Sequence, residues 1–167
     1  RPVHAKVFAV AGFFIFDLVQ DLHNAITRAI EQGYSIGDFR KDFDKTVQAH
    51  GWSYKGKRGW RTRVIYDANM RSAHMAGRWA QLQANKERKP YLQYLTAGDS
   101  RVRTQYRQWD GLVYPIDHPF WDTHYPPNGW GCRCTIRPRS ADDVQEMGLS
   151  VQEHSPKMTS RMIANKA

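Results

Sequence analysis

Apolar positions three and four residues apart dominate the first half of the chain, the spacing of amphipathic helices. The first such helix is predicted from Phe16 to Gly33, which closes it as a left-handed cap. Ser35 and Asp38 then form the S-x-x-D pattern of a capping box. That box predicts a second helix, which ends at Gly51 and carries three apolar residues on one face, Phe39, Phe43 and Val47.

A long helix is predicted over residues 64–86, and the pattern changes after Pro90. Short runs rich in β-branched and aromatic residues predict strands over 91–96, 112–116 and 132–136. A short helix is expected over 99–109, and the tail after Pro138 is expected to be helical around 140–147 and poorly packed beyond. The predicted class is α+β: an N-terminal helical half with a long central helix, followed by a small antiparallel β region.

The same patterns divide the chain into three parts. Residues 1–15 are expected to form an extended apolar arm, residues 16–138 a domain, and residues 139–167 a polar C-terminal tail. The apolar run over residues 7–16 has about half of the ~20 residues that a membrane helix needs. We therefore expect no membrane association.

Charge adds an expectation about partners. The 167 residues include 25 Lys and Arg against 16 Asp and Glu, a formal net charge of +9, which favours acidic partners such as nucleic acid. The basic segment 55–63, KGKRGWRTR, is predicted to be a loop suited to phosphate contact and base stacking. Its candidate DNA-binding residues are Lys55, Lys57, Arg58, Trp60, Arg61 and Arg63. The alternative is a solvated basic loop that faces a protein partner.

Both cysteines of the chain, Cys132 and Cys134, lie in the segment HYPPNGWGCRCTIRP at 124–138. On a strand both side chains would point to the same face, with about 6.6–6.8 Å between the two Cα atoms. That distance is near the upper limit for a disulfide. Zinc is a second alternative, with His118 and His124 completing a Cys2His2 set. The favoured interpretation is that both thiols are small buried hydrophobes beneath a stiff corner.

Residues 90–138 resemble the signature of the Mu F family, the minor head proteins of Mu-like phages, also called the phage head morphogenesis family. The resemblance rests on a D-x-R-V-R segment, a P-F-W-x-T-H-Y-P-P-N-G-W block and a terminal C-R-C. The motif positions are Asp99, Arg101, Arg103, Trp121, His124, Pro126, Pro127, Asn128, Trp130, Cys132 and Cys134. One departure is Tyr106, which stands where the family pattern has histidine.

The resemblance implies a low-copy structural component of a phage head, not an enzyme. It would bind portal, major capsid or scaffold proteins, with packaged DNA nearby. Its place would be the virion, inside the head or at the portal vertex, after assembly in the host cytoplasm. Related modules joined to toxin domains leave an alternative open, a nuclease or ADP-ribosyltransferase-type effector. Its phosphate-handling residues would come from Asp99, Arg101, Arg103, Asp117, His118 and His124.

Overall fold

The structure, a computed structural model, describes residues 16–156. Its elements in chain order are α1 (Phe16–Gln32), α2 (Ile36–Ala49), α3 (Arg58–Ala84), β1 (Tyr91–Leu95), α4 (Thr104–Arg107), β2 (Val113–Pro115), α5 (Phe120–His124), β3 (Thr135–Arg139) and α6 (Ala141–Glu146). The predicted α+β class is confirmed. The predicted apolar arm over 1–15 lies outside the described residues. The chain divides into two compact units between His74 and Met75, within α3.

The first unit is helical, and its core is the apolar face predicted from the sequence. Ser35 caps α2 in a complete capping box with Asp38, as predicted. The apolar faces of α1 and α2 meet the first part of α3 in one cluster, which includes Leu18, Leu22, Ile26, Phe39, Phe43 and Ile65. An ion pair between Arg28 and Asp42, 2.7 Å long, joins α1 to α2 at the edge of this core.

The second unit contains a three-stranded antiparallel sheet in the order β2-β1-β3. Tyr91 of β1 pairs with Pro115 on one side and with Arg139 on the other. The part of α3 that belongs to this unit is tied to the sheet, because the Arg78 guanidinium donates to the carbonyl of Ile136 at 2.7 Å. The core is strongly aromatic, and its largest fully buried side chains include Tyr94, Trp109, Tyr114, Phe120 and Trp121.

Three predicted boundaries are wrong. The long helix begins at Arg58, so most of the basic segment 55–63 is helical and only Lys55–Lys57 precede the helix. The helix expected over 99–109 is limited to Thr104–Arg107, because the Asp99 side chain accepts the backbone N–H of Arg101 and holds a turn instead. β3 begins at Thr135, so both cysteines precede the strand that was expected to contain them.

The segment after Pro138 is more ordered than the sequence suggested. Ser140 caps α6 in a second capping box, with Asp143. Beyond the helix, Val151 forms a bridge with Val113, and the backbone N–H of Gln152 donates to the Val113 carbonyl at 2.8 Å. The backbone of this stretch therefore extends the edge of β2, although no side chain of residues 148–156 is buried.

Candidate functional site

The motif block folds into a corner over the small sheet. Phe120 and Trp121 begin α5, a helix that the sequence analysis missed, and both are 1% exposed. The Phe120 ring stacks on Tyr114 at 4.4 Å between centroids and on His124 at 4.2 Å. Because these rings fill the space above the sheet, Phe120 and Trp121 of the motif serve as core, whereas Trp130 is 39% exposed.

His124 is part of this core. Its side chain is 2% exposed, and its ring forms a T-shaped pair with the Trp109 ring, with 4.5 Å between the ring centroids. Its Nδ1 lies 3.1 Å from the carbonyl oxygen of Phe120 and 2.7 Å from the hydroxyl of Thr123. These contacts orient the imidazole along its own helix.

The PPNGW turn is held by hydrogen bonds from one amide side chain. Asn128 Nδ2 donates to the carbonyl of His124 at 2.9 Å and to the hydroxyl of Tyr94 at 3.0 Å. The Pro126–Pro127 peptide bond that precedes Asn128 is cis. The turn is thus tied both to α5 and to β1, which agrees with the predicted stiff corner.

Tyr106, the residue that departs from the family pattern, contacts the same turn. Its hydroxyl donates to the carbonyl of Asn128 at 3.0 Å. A Cβ on Gly129 would lie 3.2 Å from that hydroxyl, so the turn passes very close to the tyrosine. Arg103 lies over the Tyr106 ring and donates to the carbonyl of Trp130 at 2.6 Å.

Asp99 connects the D-x-R-V-R segment to the C-R-C segment. Its carboxylate accepts two hydrogen bonds from the Arg133 guanidinium, at 2.8 and 2.6 Å. These bonds, and the backbone N–H of Arg101, hold the pKa of Asp99 far below its ordinary value. The Arg101 side chain is largely exposed, and its guanidinium lies farther from the carboxylate, at 3.4 Å. Arg133 is therefore the main partner.

Cys132 and Cys134 are both buried free thiols. A hydrogen bond with Cys132 and burial together raise the pKa of the Cys134 thiol well above its ordinary value, although a hydrogen bond with Tyr94 opposes that rise. Thiolate is the form that binds metal and attacks electrophiles. The environment of Cys134 therefore suits a protonated, structural thiol.

The four candidate zinc ligands are not brought together. His118 stacks on Tyr114, its Nδ1 accepts the backbone N–H of Phe120 at 3.1 Å, and its Nε2 lies 3.1 Å from the carbonyl of Glu153. Within residues 16–156, no group of three or more His, Cys, Asp or Glu side chains is arranged to hold a metal ion. The residues present do not fit zinc in this arrangement, and zinc binding stays a prediction for metal analysis.

The basic segment separates into cations that hold the fold and cations that face solvent. Arg58 forms two hydrogen bonds with Asp44, at 2.6 and 2.5 Å. Arg61 lies over the rings of Trp52 and Tyr54, at 5.4 and 5.3 Å, and donates to the Lys55 carbonyl. The sequence analysis missed these partners, because they lie up to 14 residues away along the chain.

Four of the candidate DNA-binding residues are exposed and take no part in these contacts through their side chains. Lys55, Lys57 and Arg63 are exposed, and in the described part of the chain no carboxylate lies within ion-pair distance of them. The Trp60 side chain is 62% exposed. Exposed cations and an exposed tryptophan in one segment are residue types suited to phosphate contact and base stacking.

The fold and the motif corner describe a small α+β module in which several signature side chains, among them Asp99, His124 and Asn128, make contacts within the fold. The family model described as "Phage Mu protein F like protein" matches residues 20–137. The chain therefore belongs to the Phage Mu protein F-like family. The resemblance inferred from the motifs is confirmed.

Two relatives match almost the whole chain. "Putative capsid assembly protein F" of Escherichia phage Mu is 33% identical over 175 residues, which cover 96% of this chain and 40% of that protein. "Mu-like prophage FluMu F protein" of Haemophilus influenzae is 32% identical over 168 residues, 95% of this chain and 41% of that protein. The chain thus spans about two fifths of the length of these relatives. No solved structure matches the chain.

Among residues 16–156, no helix combines the length and the apolar composition needed to cross a membrane.

Proposed function

We propose that this chain is a minor capsid protein that takes part in the assembly of a tailed-phage head. The observation that carries the proposal is the family match over residues 20–137, together with a relative named as a capsid assembly protein. Its partners would be portal, major capsid or scaffold proteins, and its place would be the head interior or the portal vertex.

We propose that it works by binding and not by catalysis. Two of the side chains that would serve a phosphate-handling site are used in the fold: Asp99 holds Arg133, and His124 is stacked in the core. His118 has a backbone partner near each ring nitrogen. A general acid or base needs a proton position that faces substrate, and these contacts favour a structural role.

Packaged DNA is the proposed partner of the basic segment. The contact would use Lys55, Lys57 and Arg63 for phosphates and Trp60 for bases. Arg58 and Arg61, which the sequence analysis grouped with them, would instead hold the segment in place through Asp44 and the Trp52–Tyr54 pair. The arrangement supports sequence-independent binding, because phosphate contacts and stacking carry no base code.

Mass spectrometry of purified phage particles and of empty proheads tests the head-assembly proposal. We expect this chain, or the longer protein that contains it, in both particles at a few copies each. A signal in infected cells combined with absence from both particles would contradict the proposal. Presence in proheads alone would restrict the role to assembly.

Salt-dependent DNA binding tests the DNA contact separately. Replacing Lys55 and Lys57 with Gln should reduce the slope of log affinity against log salt by about 2, since each phosphate contact contributes about one. The double variant Arg88→Gln/Arg137→Gln is the matched control, because it removes two exposed charges elsewhere. An equal decrease of the slope in both variants would mean that binding depends on net charge. That result would contradict a DNA site at this segment.

A further inference from the structure

A groove of about 380 Å³ lies in the second unit, away from the basic segment in the sequence. Its apolar surface comes mainly from Trp79, which is partly exposed, because the other apolar lining residues, Ile116 and Trp121, are only 3% and 1% exposed. The residues that matter here are Trp79, Gln83, Asp117, His118, Trp121 and Asp122. None of them belongs to the DNA contact proposed above.

The walls of the groove are held rigidly. Trp121 Nε1 donates to the carbonyl of Pro115 at 2.9 Å. Trp79 meets Tyr125 edge-on at 4.9 Å, and the hydroxyl of Tyr125 donates to the carbonyl of Met75 at 2.9 Å. A groove with fixed walls binds without the entropic cost of ordering its own side chains.

The charge in the groove is opposite to that of the protein. Asp122 is exposed and forms no ion pair with any other residue of 16–156, although the chain has a net charge of +9. Asp117 is paired only with Lys86, at 3.4 Å, and 67% of its side chain is exposed. Two accessible carboxylates therefore flank the tryptophan surface.

Both ring nitrogens of His118 are used by backbone groups. Its Nδ1 accepts the backbone N–H of Phe120 at 3.1 Å, and its Nε2 lies 3.1 Å from the carbonyl oxygen of Glu153. The imidazole is therefore held by the fold, and the two carboxylates are the exposed charged groups of the lining.

We propose that this groove binds an arginine- or lysine-bearing peptide segment of a protein partner. The aliphatic stem of such a side chain would lie on the tryptophan surface, and its cationic head would reach Asp122 and Asp117. The carboxylates would repel the phosphates of DNA, so the groove and the basic segment bind partners of opposite charge. The groove therefore gives a protein-contact surface that does not depend on the DNA contact.

Lys86 competes with the incoming cation. Its ammonium neutralises Asp117 across 3.4 Å, and its side chain is 49% exposed. Removing Lys86 leaves Asp117 available, so a bound peptide should be held more tightly. A gain of affinity from the loss of a surface lysine is a result that damage to the fold would not produce.

Fluorescence anisotropy of a labelled Ser-Arg repeat peptide tests the proposal on the full chain. Asp117→Asn/Asp122→Asn should weaken binding about three- to tenfold, the value of two exposed ion pairs. The double variant Asp142→Asn/Glu146→Gln is the matched control, because it removes two exposed carboxylates from α6. Unchanged affinity in the groove variant, or equal loss in the control, would overturn the proposal.

The second comparison uses two lysines. Lys86→Met should tighten peptide binding about two- to threefold. Lys89→Met breaks a similar ion pair, with Asp143 at 2.9 Å, and should leave affinity unchanged. Equal tightening in both variants would mean that the peptide responds to overall charge, and the groove would then not be its site. A Ser-Glu repeat peptide should not bind the groove. The variant Asp117→Asn/Asp122→Asn should therefore not weaken any binding of that peptide to the protein.

Discussion

Tyr106 shows how one side chain can hold a corner closed, at a position where the family pattern inferred from the sequence has histidine. Its ring stacks on Trp109 at 5.3 Å, and its hydroxyl reaches the turn at Asn128. Burial raises the pKa of this hydroxyl above its ordinary value, so it remains a hydrogen-bond donor across the physiological range. The Tyr106 hydroxyl is thus the donor that joins α4 to the PPNGW turn.

The two thiols lead to a prediction at the same scale. Because both are buried and the pKa of Cys134 is raised, native protein should react with a thiol-specific reagent at least about a hundredfold more slowly than unfolded protein. Mass analysis after labelling in urea should then find two modified cysteines per chain. The time course of labelling with and without urea is the measurement.

A chelator serves as the control for this labelling. If Cys132 and Cys134 held zinc, a chelator would remove the metal and speed native labelling. We expect equal rates with and without chelator. Faster labelling, with zinc found in the purified protein, would contradict the structural interpretation of the thiols and restore the predicted Cys2His2 set.

At the scale of elements, local sequence signals determined the starts of two helices, α2 and α6. The S-x-x-D pattern predicted the cap of α2, and the same pattern at Ser140 and Asp143 begins α6. The start of α3 has no such signal. It begins at Arg58, where an ion pair with Asp44 of α2 supports the first turn, and this contact is tertiary.

The cap of α6 predicts a dependence on pH. Hydrogen bonds from the Ser140 backbone and Lys89 lower the pKa of Asp143 to about 2, below the ordinary value of about 3.9. A lowered carboxyl pKa stabilises the folded state above the unfolded-state pKa, and this contribution is lost as the pH falls through the folded-state value. The stability difference between the protein and Asp143→Asn should therefore shrink between about pH 4 and pH 2.

Urea unfolding midpoints from pH 6 to pH 2 measure this difference. Asp142→Asn is the matched control, because it removes a charge from the same helix without touching the cap. If the stability difference between the protein and Asp142→Asn shrinks by the same amount, the effect comes from the overall charge of α6. A constant difference for Asp143→Asn would contradict the role of its carboxylate at the cap.

At the scale of the molecule, the exposed lysines of the basic segment and the carboxylates of the groove belong to different units of the chain. The exposed lysines of the basic segment precede α3, whereas the carboxylates of the groove follow β2 and lie in α5. Net charge alone would suggest one polyanionic partner. The distribution of charge instead supports two contacts, one with DNA and one with a basic protein segment.

Expression in bacteria distinguishes a binding module from a toxin. We expect growth equal to that of cells that express an inactive control protein, because the candidate catalytic residues Asp99, His118 and His124 are held by contacts within the fold. Growth arrest that disappears in Arg101→Ala would favour the effector alternative. Arg101 is the residue to change, because its side chain is 79% exposed and its loss should leave the fold intact.

The sequence by itself determined the class of fold, the first two helices, the strand β1 and the family. These features follow from local periodicity, from caps and from a long motif, all of which are contained in neighbouring residues. Even the correct description of the PPNGW segment as a stiff corner followed from its composition of aromatics, prolines and an Asn-Gly turn.

Only the tertiary structure decided which charged and polar side chains are available. Arg58 and Arg61 belong to the fold because Asp44, Trp52 and Tyr54 come together around them, and no spacing along the chain shows this. The groove around Trp79 likewise joins α3 to α5, more than 30 residues apart. Such sites depend on long-range contacts, and a pattern of neighbouring residues contains no information on them.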